Sequence, residues 1–173
     1  ECFGVQDVHV VEAGHRFRPS PRVTCGADRW LTLRRWPTLA PAAAHLRHRG
    51  YRLAATSLDP GSVPLAAAPL DRPLVLMLGT EETGLSPGAL ATADLHVHVP
   101  MVGFTRSLNV SVTAALCLQH LGARLRAERE DWPLGGAERA ELRLSWLMDE
   151  GTRARALTVR RLREWGLVGT SGT

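Results

Sequence analysis

Before residue 100 the apolar positions fall in short dense runs; after it they fall on one helical stripe. The early runs predict strands. Val5 to Val11 is short and valine-rich, Trp30 to Leu33 is a second candidate, and Tyr51 to Ser57 a third. Leu74 to Leu78 is apolar throughout and stops at Gly79, the pattern of a parallel strand covered on both faces. Leu95 to Val99 is the last candidate strand. Between them, the alanine- and leucine-rich segment Pro37 to Arg49 ends at Gly50, which predicts a helix with a glycine stop. Ser86 to Thr92 predicts a short helix capped by Ser86, with Pro87 in its first turn. Residues 13–28, with several glycines, prolines and arginines, read as a basic surface loop, and Pro60-Gly61 as a turn. From Asn109 the period changes: Val110, Ala114, Leu118, Leu121 and Leu125 share one helix face. Trp132-Pro133-Leu134-Gly135-Gly136 breaks the pattern, and two further helices are expected over 137–150 and 153–165. Strands alternating with helices predict an α/β fold with a parallel sheet flanked by helices. The expected organisation is a domain over 1–127 followed by a basic helical extension over 128–173.

Composition narrows the class. Hydrophobic residues make up 45% and charged residues 22% of 173, which supports a packed core. No apolar run is long enough to span a membrane, and the start lacks a signal-like segment. Cys2, Cys25 and Cys117 are odd in number and scattered, which points to a reducing, cytoplasmic setting. Net charge is +4, and all 21 basic residues are arginine. Coding bias alone accounts for an absence of lysine, but guanidinium forks suit phosphate oxygens and stack on bases, so the balance is compatible with RNA. Arg16, Arg18, Arg22, Arg29 and Arg106, with Arg160 and Arg161 in a last helix that also carries Arg153, Arg155 and Arg163, are the candidate backbone contacts; a solvated face is the alternative.

Two loops carry the candidate chemistry. Gly79 and Gly84 are spaced as in a phosphate-binding P-loop, but Leu85 occupies the lysine position, and Glu81 and Glu82 would repel phosphate. A carboxylate-bearing glycine loop suits a ligand with ribose hydroxyls or a positive centre. The second loop, Val99-Pro100-Met101 through Ser107-Leu108-Asn109, runs from a strand end into a helix start, where open α/β sheets bind ligands. Asn109 and Ser107 each read either as a helix start and cap or as site residues. His96 and His98 share a strand face but lack further metal ligands, and no metal is expected. His45 and His48 read as surface residues.

Leu76 to Ser86 resembles the second motif of the SpoU (TrmH-type) ribose methyltransferases of the SPOUT superfamily, and Val99 to Val112 closely resembles their third. Thr24 to Trp30 is similar to the family's T-S-x-G-x-x-x-W segment, and Tyr51 to Leu58, with Ala55-Thr56, to the strand before the first cofactor loop. The likeness covers roughly residues 1–127. It implies a deep C-terminal trefoil knot, a homodimer with the helix near Asn109 at its interface, and S-adenosylmethionine bent among the knot loops. By position it implies Thr56, Leu78, Gly79, Val99, Met101 and Leu108 as cofactor residues, and Glu81, Ser107 and Asn109 as active-site residues. The implied activity is 2′-O-methylation of RNA ribose, with the tRNA D-loop guanosine-18 favoured. Ribosomal RNA, another tRNA position and a non-catalytic knotted RNA-binding protein remain alternatives. The family's first motif, with an asparagine and an arginine, is expected upstream of Glu1, so this chain alone is expected to transfer methyl groups poorly. The implied chemistry is direct displacement, in which alignment of hydroxyl and methyl donor is the main task.

Overall fold

The computed structural model describes residues 1–14, 16–105, 107–149 and 152–165. In chain order its elements are β1 (Asp7–Val11), α1 (Pro21–Thr24), a 3-10 turn (Ala27–Trp30), β2 (Thr32–Trp36), α2 (Leu39–His48), β3 (Arg52–Thr56), β4 (Val63–Pro64), a second 3-10 turn (Leu65–Ala67), β5 (Leu74–Met77), α3 (Pro87–Thr92), β6 (Leu95–His98), α4 (Val110–Glu128), α5 (Gly136–Asp149) and α6 (Thr152–Glu164). Most of these follow the apolar runs. The segment read as a basic loop over 13–28 instead winds into α1 and the first 3-10 turn. That turn consumes Trp30, so the second strand runs from Thr32 to Trp36 rather than from Trp30 to Leu33.

Local chemistry sets the helix ends. Gly50, at φ 81°, ends α2: its N–H reaches the Arg47 carbonyl at 2.9 Å and the Tyr51 N–H reaches that of Leu46 at 3.1 Å, the paired closure that favours glycine. Ser86 Oγ accepts from the Ala89 N–H at 3.2 Å and Pro87 opens α3, as the sequence predicts.

Every strand pair is parallel. β1 pairs β2, and four strands pair in the order β4-β6-β3-β5. β5 is therefore an edge strand, half-buried along its length rather than buried within the sheet. Alternation along β3 separates two apolar layers. Leu53 packs with Ala43 and Leu46 of α2, while Ala54 packs with Val97, Cys117 and Leu121, placing α4 on the other face. The buried positions of α4 are Cys117 and Leu121; Leu118, on the predicted stripe, is only half-buried. His45 is not a surface residue: it is half-buried, its ring 5.2 Å from that of Trp36.

Two compact units result, Glu1–Glu130 and Asp131–Thr173; in the second, α5 and α6 pack on each other.

Candidate functional site

Parallel pairing brings the carboxyl ends of β3, β5 and β6 to one edge of the sheet, and the loops that follow them open onto one cleft of about 350 Å³. All six positions read as cofactor residues line it: Thr56, Leu78, Gly79, Val99, Met101 and Leu108. Glu81 and Ser107 line it too, with Glu82, His98 and Cys117, which the sequence reading did not assign. Asn109 is outside the lining but bound to it, since its Nδ2 donates to Glu81 Oε1 at 2.5 Å. Residues about 50 positions apart in the chain thus converge, as the two glycine- and serine-bearing loops require if they act together.

The loop after β5 is closed by its own backbone. Thr80 and Gly84 exchange N–H···O bonds of 3.1 and 3.0 Å, and the Thr80 hydroxyl accepts from the Thr83 N–H at 3.2 Å. Gly84 makes the turn at φ 66°, in the left-handed region. Gly79 packs directly against that turn.

Helix α4 starts at Asn109. Its Oδ1 accepts from the Ser111 and Val112 N–H groups, at 2.9 and 3.4 Å, and from the Ser111 hydroxyl. The cap is therefore Asn109, and Ser107 stands free of it. One side chain serves two tasks: the amide oxygen holds the helix and the amide nitrogen holds the Glu81 carboxylate. Glu81 is oriented by Asn109, a partner that the sequence reading of Glu81 had not singled out.

The two histidines of β6 are used differently from metal ligands. His96 Nε2 meets the Leu90 carbonyl at 3.1 Å and its Nδ1 lies 3.5 Å from Asp59 Oδ2, while His98 Nδ1 pairs with the Ser62 hydroxyl at 2.9 Å. Among the described residues no three metal-ligating side chains come together. Burial pushes the Cys117 thiol up, which keeps it protonated on the cleft wall.

Arg16, Arg18 and Arg22 are exposed and make no ion pair among the described residues; Arg29, also exposed, stacks its guanidinium 4.2 Å over the Trp30 ring. Arg160 and Arg161, in the second unit, pair with Glu164 at 3.0 and 3.6 Å. Arg106 lies outside the described residues, as do the side chains of Arg153, Arg155 and Arg163. Exposed Arg34 and Arg35 on β2, which the sequence reading passed over, pair with Asp7 and Glu12.

A parallel α/β domain with its cleft at the strand carboxyl ends, roofed by a closed glycine loop and by a capped helix, defines a nucleotide-type ligand-binding fold. The chain belongs to the SpoU rRNA methylase family, whose sequence model matches residues 1–119. It is 39% identical over 146 residues to the tRNA (guanosine(18)-2′-O)-methyltransferase of Borreliella burgdorferi, covering 84% of this chain and 67% of that protein. It is 36% identical over 118 residues to the enzyme of the same name from Escherichia coli, covering 68% of this chain and 52% of that one. The chain therefore spans between half and two thirds of these relatives. The crystal structure of the A. aeolicus TrmH/SpoU tRNA modifying enzyme superposes with a TM-score of 0.75 at 25% identity, covering 87% of this chain and 79% of that one.

Proposed function

We propose that the chain is the cofactor-binding and catalytic body of an RNA ribose 2′-O-methyltransferase that uses S-adenosylmethionine and acts on guanosine-18 of tRNA. The observation that carries this is the joining of the two motif loops on one cleft through the 2.5 Å contact between Asn109 and Glu81. The names of the relatives from Borreliella burgdorferi and Escherichia coli support the substrate. A SpoU methyltransferase similar in fold, AviRb from Streptomyces viridochromogenes, is described in complex with AdoMet, at a TM-score of 0.65 and 22% identity.

The residues present fit that cofactor. The cleft has the size of a small-molecule site, its walls are apolar at Leu78, Val99, Met101 and Leu108, and two carboxylates, Glu81 and Glu82, stand on its border. Those carboxylates favour a cationic sulfonium there over a phosphate. When bound, the cofactor supplies an activated methyl group. This chain supplies the rest: the Gly79 loop and the apolar walls hold the donor, and Asn109 fixes Glu81 where it can accept from a ribose hydroxyl. Ser107, uncommitted to the helix, offers a hydroxyl to the same ligand pair. Arg16, Arg18, Arg22 and Arg29 give the phosphate contacts that bring RNA to the cleft.

A deep trefoil knot and a homodimer belong to the same reading. The gathering of the loops after β5 and β6 on one cleft supports the first. The second is supported by Val112 and Leu116, large apolar side chains of α4 that are 46% and 43% exposed at four-residue spacing.

Titration calorimetry of the full chain with S-adenosylmethionine tests the cofactor assignment, and absence of binding overturns it. Methyl transfer to tRNA, mapped by nucleotide, tests the substrate: product at guanosine-18 that disappears with a 2′-deoxy nucleotide there supports it, and product elsewhere redirects it.

A further inference from the structure

Most polar side chains on the cleft wall are already spoken for. Thr56 donates to the Met77 carbonyl at 3.1 Å, Ser57 to Asp59 at 2.6 Å, Thr113 to the Asn109 carbonyl at 3.1 Å, and Thr80 pairs with Thr83 at 2.8 Å. His98 differs. It comes from β6, between Val97 and Val99, and its Nδ1 is held by the Ser62 hydroxyl at 2.9 Å. Ser62 is itself positioned, since its N–H reaches the Asp59 carbonyl at 2.8 Å, and the neighbouring Pro64 pairs with His98 across the β4–β6 ladder. One ring nitrogen is therefore committed, and Nε2 has no partner among the described residues. A ring fixed at one nitrogen by a braced hydroxyl presents the other in one direction.

We infer that His98 is a side-chain ligand of the adenosine half of the cofactor, held in register by Ser62. This rests on the proposed S-adenosylmethionine site. The assignment to the adenosine half follows from placement. The carboxylates that suit the sulfonium lie on the loop after β5, whereas His98 enters the lining from the end of β6, and the exposed apolar side chain of Leu58 in the same lining is one that a flat purine can cover. Adenosine offers ring nitrogens and ribose hydroxyls that both donate and accept, so either tautomer of His98 finds a partner.

The test is titration calorimetry of the full chain with S-adenosylhomocysteine and with 5′-methylthioadenosine, which lacks the amino-acid end. His98→Leu is expected to weaken both ligands threefold or more. His98→Gln, whose side-chain amide nitrogen can stand where Nε2 does, is expected to recover affinity for both relative to His98→Leu. Ser62→Ala is expected to weaken both twofold or more, and it carries the test alone if His98→Leu does not fold. Loss confined to S-adenosylhomocysteine overturns the adenosine assignment, as does His98→Leu binding within threefold of the wild type. Equal loss in His98→Leu and His98→Gln overturns the hydrogen-bonding role, and unchanged Ser62→Ala affinity overturns the orienting role. If the wild type binds neither ligand nor S-adenosylmethionine, the proposed function fails; if it binds and His98→Leu binds equally, this inference alone fails.

Discussion

A β-carbon at Gly79 would sit 2.0 Å from the carbonyl carbon of Gly84 and 2.2 Å from the amide nitrogen of Leu85, backbone atoms with no rotamer to escape into. Gly79 is thus required by the closure of its own loop before any ligand arrives. Gly79→Ala is expected to cost on the order of 3 kcal/mol and to abolish S-adenosylmethionine binding, read by denaturant unfolding and calorimetry together. A variant that loses affinity at full stability would show that the loop tolerates the β-carbon and that the ligand does not. Asn109 allows its two tasks to be separated. Asn109→Asp keeps an oxygen for the Ser111 and Val112 N–H groups but removes the Nδ2 donor and sets a second carboxylate against Glu81. Stability is expected to change by less than about 1 kcal/mol, while methyl transfer falls at least about tenfold, about 1.4 kcal/mol of transition-state stabilisation. Asn109→Ala is expected to lose about 1 kcal/mol of stability as well, so the pair distinguishes cap from site.

The β1–β2 pair with α2 carries a pH response that begins near pH 6.5. His9 Nδ1 accepts from the Trp36 indole N–H at 3.0 Å, and the two rings stack with His45 nearby. Burial lowers the His9 pKa from 6.5, and Arg34, His45 and Arg49 add to this against the opposing pull of Asp7. The folded state therefore binds the proton less readily than the unfolded chain. The contribution of neutral His9 is fully present above pH 6.5 and is lost as pH falls toward its lower folded-state pKa. The melting temperature should decline below pH 6.5, with a smaller decline in His9→Gln. Asp94 acts in a separate, more acidic window. Burial opposes its charge, but the Leu53 N–H and Arg47 outweigh that and lower its pKa from 3.8, so its contribution holds above that value and fades below it. Elements of this kind were legible in the sequence to different degrees. The glycine stop of α2 and the Ser86-Pro87 start of α3 are local signals and fell where read. β4 was not legible, because two residues become a strand only when β6 lies alongside them. Nor was His45, whose surroundings come from β1 and β2 rather than from its own helix. The candidate site was largely legible because loop composition and motif spacing are written locally, whereas the hydrogen bond joining Asn109 to Glu81 spans 28 positions and depends on the fold.

At the scale of the whole molecule, charge and topology decide what the chain can do. If Arg16, Arg18, Arg22 and Arg29 contact phosphates, RNA affinity falls with salt, and replacing Arg18 and Arg22 together should lower the log–log salt slope by about two. An unchanged slope would remove those arginines from the interface. The boundary at Glu130 gives a second expectation: a chain ending there keeps S-adenosylmethionine affinity within about twofold, since among the described residues the lining runs from Thr56 to Cys117 and so precedes it. A larger loss by calorimetry would bring the second unit into the cofactor site. The strand order has a consequence for how such a chain comes into being. In β4-β6-β3-β5 no two neighbours are consecutive in sequence, so no hairpin can form early and hold its place. During synthesis β3 waits for β5 and then for β6, and the apolar layer stays uncovered until Cys117 and Leu121 of α4 have left the ribosome. Protection of nascent chains from protease should therefore arise late and together, after α4 emerges, rather than strand by strand. Until then the apolar Leu-Val-Leu-Met strand stays open to association with other chains.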